Sequence, residues 1–220
     1  MSPTDAIINL QGIRFAYPKR PEVLKGLDLL VDGTTRLGVV GSNGSGKTTL
    51  LSIIMGLIKP QAGRVEILGR LREREADFKD VRPLLGFVFQ DANDQLFCPT
   101  VRDDVAFGPL NLGKTKAEAK EIVAETLADL GLSNFADRIT YDLSGGEKKL
   151  VAVATALALR PKVLIMDEPT TFLDVSAVAR LEAIVAKLDL PMVIVSHDAP
   201  FLERVVTSRL VMREGALHPA

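Results

Sequence analysis

The stretch GSNGSGKTT at residues 41–49 follows the apolar run TRLGVV without a linker and leads straight into KTTLLSIIM. A strand end, a glycine-rich turn and a helix start must share one short segment. In that geometry backbone N–H groups at a helix N-terminus converge on phosphate oxygens. Gly41, Ser42, Asn43, Gly44, Ser45 and Gly46 form the loop; Lys47 is placed to reach the outer phosphates, and Thr48, followed by Thr49, to hold magnesium through its hydroxyl. A loop of this kind sits at the carboxyl edge of an open sheet, so the expected fold class is α/β.

Three more apolar runs, at residues 84–89, 163–166 and 192–196, are continuous rather than alternating, as parallel strands covered on both faces should be. Between them the pattern predicts helices over 47–55 and 116–130. The second opens with a Thr115/Glu118 capping box and carries a stripe of Ile122, Val123, Leu127 and Leu130. The turn-rich INLQGIRFAYPKRPEVLKGLDLLVDG, together with GRVEILGR, reads as a small antiparallel sheet attached to this core. One segment resists both periods. FVFQDANDQLFCPTVRDDVAFGPLNLG, residues 87–113, starts as a strand and then mixes acids and prolines with Leu96, Phe97, Val101, Val105, Phe107 and Leu110. It is expected to be neither a clean strand nor a clean helix but irregular chain leading into a helical insertion. Its large apolar residues then either fill a small core or form a contact surface.

A chain of 220 residues with 47% hydrophobic and 25% charged content folds rather than staying disordered. Its 27 basic and 28 acidic residues, net −1, give no electrostatic reason to bind a nucleic-acid backbone. Cys98 stands alone, so no disulfide or cysteine-rich metal site is expected, which fits a reducing compartment. MSPTDAIINLQGIRF lacks the pattern of a secretory leader, and VAVATALAL, stopped by Arg160 and Pro161, falls short of the roughly 20 apolar residues of a membrane span. Work at a membrane would need another chain to hold this one there.

Two further elements complete a site. VLIMDEPT places Asp167 and Glu168 at a strand's carboxyl end, where one carboxylate can orient magnesium through its water shell and the other can polarise an attacking water. In LSGGEKKLVAVATAL, Ser144, Gly145 and Gly146 open an apolar helix and form a second anion site, while Ser144 and Glu147 also spell a capping box. MVIVSHD follows, ending in His197 and Asp198.

In this order the motifs resemble the nucleotide-binding subunits of ABC transporters, along essentially the whole chain. The resemblance implies a P-loop NTPase (RecA-like) core with an ABC antiparallel β-subdomain and an inserted α-helical subdomain, all within a single domain over 1–220. Residues 1–90 and 160–220 would form the core and β-subdomain, and 91–159 the Q-loop and helical subdomain with its signature helix. It implies ATP and Mg2+ as ligands. Glu168, His197, Gln90 and Lys47 would be catalytic, and Thr48, Gln90 and Asp167 would hold magnesium, partly through water. Tyr17, with Phe15 as the neighbouring candidate, would stack on adenine, a contact worth on the order of 1–3 kcal/mol. Ser144, Gly145, Gly146, Glu147 and the D-loop Asp174 would meet nucleotide across a head-to-tail dimer. A full catalytic set and a full signature in one chain make a homodimer the economical expectation, with a heterodimer of related ATPases as the other.

Two positions depart from the family pattern. Glu147 stands where glutamine is usual, a charge that is tolerable if the side chain turns back to cap its own helix at Ser144. Phe172 stands where glycine is common, which points to an unusual backbone or unusual packing. DANDQLFCPTVRDDVAFGPLNLG is similar to the segment after the Q-loop in energy-coupling factor importers, and LSGGEKKLVAVA looks most like the ATPases of cobalt and nickel importers. The resemblance therefore implies a motor subunit at the cytoplasmic face of the cell membrane, peripheral to a coupling subunit and a substrate-binding subunit. Vitamin importers are the rival reading; a non-transport ATPase working on nucleic acid fits less well, given the short insertion and absent basic surplus.

Overall fold

Alternate residues of the apolar runs enter two different clusters. Val163, Ile165, Val193 and Val195 belong to one, with Leu50, Ile53 and Ile54; Leu164, Met166, Met192 and Ile194 belong to the other, with Val151, Leu181 and Phe201. Both faces of these strands are therefore covered, and no polar alternation is needed. The computed structural model describes residues 6–220; residues 1–5, part of the N-terminal segment read above for a leader, lie outside it. In chain order the elements are β1 (Ala6–Ala16), β2 (Glu22–Asp32), β3 (Arg36–Val40), α1 (Lys47–Ile54), β4 (Ala62–Ile67), β5 (Arg70–Leu71), β6 (Leu85–Val88), α2 (Val101–Asn111), α3 (Lys116–Asp129), α4 (Gly145–Leu157), β7 (Val163–Asp167), α5 (Val175–Lys187), β8 (Met192–Val195), α6 (Ala199–Val205), β9 (Ser208–Arg213) and β10 (Ala216–Pro219).

The main sheet has the order β10-β9-β3-β8-β7-β6, parallel except for the β9–β10 hairpin. A separate antiparallel sheet, β2-β1-β4-β5, packs its inner residues Ile8, Leu10, Leu24 and Ile67 over α1 and the first cluster. The α/β class and the attached antiparallel sheet are as the sequence indicates. Among the described residues no helix is long and apolar enough to cross a membrane.

Helix α3 forms as expected, with Thr115 and Glu118 closing a capping box and Val123 and Leu127 buried. Residues 87–113 differ from the expectation, because 11 of them, Val101–Asn111, are the α-helix α2. Thr100 caps it by accepting from the Asp103 amide, and Asp103 and Asp104 favour its N-terminal dipole. Its apolar face was hard to see because only Val101, Val105 and Pro109 among its apolar residues are buried, and Pro109 sits inside the helix. The large apolar residues divide. Leu96, Val101 and Val105 are core, whereas Phe97, Phe107, Leu110 and Leu112 are exposed.

Asp104 holds the turn before α2 together. Only 4% exposed, its carboxylate accepts from the Phe97 and Cys98 amides at 3.0 and 2.9 Å and from the Thr140 hydroxyl at 2.9 Å. Burial, then the neighbouring Asp104, push the Cys98 thiol up to about 11, so it stays protonated at neutral pH. Replacing Asp104 by Ala strands three donors, two of them main-chain amides. A loss of about 3 kcal/mol in urea unfolding is expected, with the slope m unchanged.

Candidate functional site at the carboxyl edge of the parallel sheet

β3 delivers the chain to a loop that only glycine can make at two points. A Cβ on Gly41 would lie 2.6 Å from the Met212 carbonyl oxygen, and Gly46, the N-cap of α1, has φ 108° with the Val23 and Leu24 side chains pressed against it. Lys47 then sits at the first position of α1, 7% exposed, its ammonium donating to the Gly41 and Ser42 carbonyls at 2.7 and 3.1 Å. Thr48 donates its hydroxyl to Asp167 Oδ2 at 3.0 Å, joining the start of α1 to the end of β7.

Asp167 and Glu168 are 5% and 7% exposed. Glu168 still pairs its amide with Val195 on β8 at 2.8 Å, yet its φ is 44°, a left-handed conformation that costs a side-chain-bearing residue energy. The kink brings Glu168 Oε1 to 3.9 Å from the Lys47 ammonium and Oε2 to 2.7 Å from His197 Nδ1; the His197 amide donates to the same Oε2 at 3.2 Å. Burial raises the Asp167 carboxyl pKa above its ordinary value; the Thr48 hydrogen bond, Lys47 and Lys149 oppose that rise while Glu168 adds to it. Asp167 Oδ1 is buried and has no hydrogen-bond partner among the described residues.

Tyr17, Asn43, Gly44, Gly46, Lys47, Thr48, Thr49, Gln90, Asp167, Glu168 and His197 line one cavity of about 520 Å³. Arg20, Val23 and Thr171 also line it and were not anticipated. The two residues KR after Tyr17-Pro18 were the available signal for Arg20, a cation beside an aromatic in a turn. Phe15 is core at 8% exposure, whereas Tyr17 stands on the rim at 38%, edge-to-face with Phe15 at 4.9 Å and with its hydroxyl 3.1 Å from Thr49 Oγ1. Helix N-terminus amides, a lysine and two nearly buried carboxylates in one open cavity suit a polyphosphate with a divalent cation. The orphaned Asp167 Oδ1 beside the Thr48 hydroxyl is the donor set a hard cation takes. Gln90 lies at the mouth, exposed, just after β6.

Ser144, Gly145, Gly146, Glu147 and Asp174 do not line this cavity. Ser144 caps α4 and Glu147 turns back to accept from the Ser144 amide at 2.8 Å, the arrangement the sequence suggested. An unforeseen partner secures it, since Arg138 grips both Glu147 oxygens at 2.6 and 3.3 Å. Arg138 first, then the Ser144 amide, bring the Glu147 carboxyl down to about 2. A Cβ on Gly145 would meet only the Phe172 carbonyl oxygen, at 4.0 Å, but one on Gly146 would lie 2.5 Å from that of Ala177 on α5. Asp174 caps α5, accepting from the Ala177 amide at 2.9 Å and the Ser176 hydroxyl at 2.7 Å. The departure at Phe172 is in the backbone, φ 64°, with the side chain 88% exposed beside Val175 at 87%.

A family model described as ABC transporter matches residues 24–171, a span that holds the loop, the LSGGE helix and the acid pair. The chain belongs to the ABC transporter family. It carries the ATP-binding cassette, the ATPase that drives such transporters. A putative ABC transporter ATP-binding protein of Nitratidesulfovibrio vulgaris is 46% identical over 210 residues, covering 95% of this chain and 77% of the relative. The energy-coupling factor transporter ATP-binding protein EcfA of Methanothermobacter thermautotrophicus is 39% identical, covering 96% and 69%. Among solved structures, cbiO1 of Clostridium perfringens, part of the ABC transporter complex cbiONQ, superposes with TM-score 0.89 at 31% identity, covering 97% of this chain and 87% of that one. The ATP-binding cassette MJ0796, a dimer in a post-hydrolysis state bound to ADP and Pi, superposes with TM-score 0.85 at 26% identity, covering 96% of each chain.

Since the Glu147 carboxyl is held at about 2, below its ordinary value of 4.5, its contribution to stability is complete above about pH 4.5 and is lost as the pH falls toward 2. Thermal melts of an E147A variant should show a lower midpoint than the parent at pH 7, and the gap should close as the pH drops through that window.

Proposed function

We propose that this cassette is the ATP-hydrolysing motor of an energy-coupling factor importer, working as a dimer in which each cavity is closed by the LSGGE helix of the other chain. One observation carries the dimer reading. The cavity gathers Lys47, Thr48, Gln90, Asp167, Glu168 and His197, while Ser144 and Gly145 stand exposed and outside it. The dimeric cassette to which the chain is similar supports the same reading. A homodimer is the simplest form.

In this reading the loop amides and Lys47 bind the β- and γ-phosphates of ATP, and Tyr17 stacks on the base at the rim. Thr48, Asp167 and Gln90 would hold Mg2+, which would supply charge neutralisation at the phosphate oxygens. Glu168 accepts a hydrogen bond from water and aligns it on the γ-phosphorus; the water oxygen bonds to phosphorus and gives up a proton to the Glu168 carboxylate as the bond to the β-γ bridging oxygen breaks, leaving ADP and inorganic phosphate, and Glu168 then releases that proton to solvent. His197, already in contact with Glu168 Oε2, holds that carboxylate and faces the γ-phosphate. The partner's signature helix completes the charge stabilisation. Residues 91–159 turn on the core as nucleotide binds and leaves, passing the motion to a membrane coupling subunit. The exposed Phe97 and Phe107, edge-to-face at 4.7 Å, are offered to that subunit.

The importer class is supported by residues 91–113 and by the similarity to EcfA and cbiO1. For the cargo we favour a transition-metal ion, cobalt ahead of nickel, on the resemblance of LSGGEKKLVAVA to the ATPases of metal importers. The chain would then sit peripherally at the cytoplasmic face of the membrane, with a substrate-binding membrane subunit choosing the ion.

Glu168→Gln should cut ATP turnover by on the order of 10²–10⁴ while nucleotide binding persists and dimer accumulates in size-exclusion chromatography with light scattering. Turnover at the parental rate would remove Glu168 from this role. Cells carrying E168Q should lose accumulation of labelled cobalt; an unchanged cobalt uptake alongside lost vitamin uptake would overturn the metal assignment. Phe97→Ser with Phe107→Ser should leave ATP binding intact and abolish copurification with the membrane subunits.

A further inference from the structure

Among the described residues Lys149 is the largest fully buried side chain, at 2% exposure, and no carboxylate there forms a salt bridge with it. A buried ammonium is costly unless something specific receives it. Here the receivers are two main-chain carbonyls, Phe89 at 2.9 Å and Gln90 at 2.7 Å, so the signature helix α4 reaches across and takes hold of the chain where β6 ends. Gln95 fastens the same junction from the other direction. Its amide donates to the Ala152 carbonyl at 2.8 Å and the Thr155 hydroxyl at 2.7 Å on α4, while its oxygen accepts from the Phe89 amide at 3.1 Å. Both main-chain groups of Phe89 and the carbonyl of Gln90 are therefore fixed by side chains linked to α4. The ammonium also attracts the Asp167 carboxylate, one of the groups that line the cavity.

We propose that Lys149 is a positioning residue for Gln90: by clamping the Phe89 and Gln90 carbonyls to α4 it fixes where the Gln90 side chain stands at the cavity mouth, and makes that residue move with the helix that carries Ser144. The inference rests on the role proposed above for Gln90. Among the described residues the Gln90 side chain has no hydrogen-bond partner, so its place is set by its backbone. Loss of the clamp frees the backbone, and a misplacement of about 1 Å at a reacting centre costs on the order of 10²-fold in rate.

The test is steady-state Mg-ATP turnover by the purified chain for K149M, K149R, Q90A and the double variant K149M/Q90A. K149M should lower kcat by on the order of ten- to hundredfold while KM for ATP stays within about twofold, because phosphate binding lies elsewhere. K149R, which keeps the charge and can still donate to both carbonyls, should recover most of the rate. K149M/Q90A should be no slower than Q90A alone, since a residue acting through Gln90 has nothing left to do once that side chain is gone. Multiplying losses in the double variant would mean a separate structural role and would overturn the proposal. So would a slow Q90A beside a K149M of parental kcat. A Q90A of parental rate would instead sink the proposed role of Gln90, and the positioning role with it. If K149M fails to fold, K149Q, too short to span both carbonyls, must show the same selective fall in kcat.

Discussion

Two carboxylates, Asp167 and Glu168, lie nearly buried at adjacent positions on one strand end, and the surrounding structure is arranged to make that tolerable. Placed in an apolar interior without partners, such a pair would protonate or unfold its host. Thr48 donates to the first, Lys47 and His197 flank the second, and Lys149 adds positive charge that favours the Asp167 carboxylate. These four groups come from three segments: Lys47 and Thr48 from the start of α1, His197 from just after β8, and Lys149 from α4. The sheet order β3-β8-β7-β6 makes those segments neighbours, so the need to neutralise two acids and the topology of the fold have one common solution.

What the sequence made legible follows from how local each signal is. GSNGSGKTT, LSGGE and the acid-ended strand are contiguous motifs whose meaning depends on the backbone they sit on, and the cavity gathers Lys47, Thr48, Asp167 and Glu168 as the spacing implied. The Thr115 and Ser144 capping boxes were readable for the same reason, being closed within four residues. Helix α2 was missed because its signal is not local. Val101 and Val105 form too narrow a stripe to reveal a period, and their burial comes from α3 and α4, which pack over them. Likewise Arg138 pairs with Glu147 from a separate turn, and Arg20 joins the cavity through the fold of the β1–β2 connection. Partners brought together by packing leave no mark on spacing.

The same distinction separates the two readings of residues 87–113. Leu96, Val101 and Val105 are core while Phe97, Phe107, Leu110 and Leu112 are exposed, and nothing in composition tells Leu96 from Phe97, its neighbour. Asp104 decides it. By gathering the Phe97 and Cys98 amides and the Thr140 hydroxyl, it fixes a turn that sends one side chain inward and the next outward. A buried acid thus sets the shape of an exposed aromatic surface.

The missing Cβ of Gly146 lets α4 lie against Ala177 of α5 more closely than any other residue would allow. Ser144 caps the first of these helices and Asp174 the second, so two loops that are 30 positions apart in the chain lead into a closely packed helix pair. They cannot be treated as interchangeable parts. A chimera that imports the Ser144 loop from another cassette must bring its own counterpart of Ala177, or the graft will splay the helices and carry Phe172 and Val175 out of register with whatever they face.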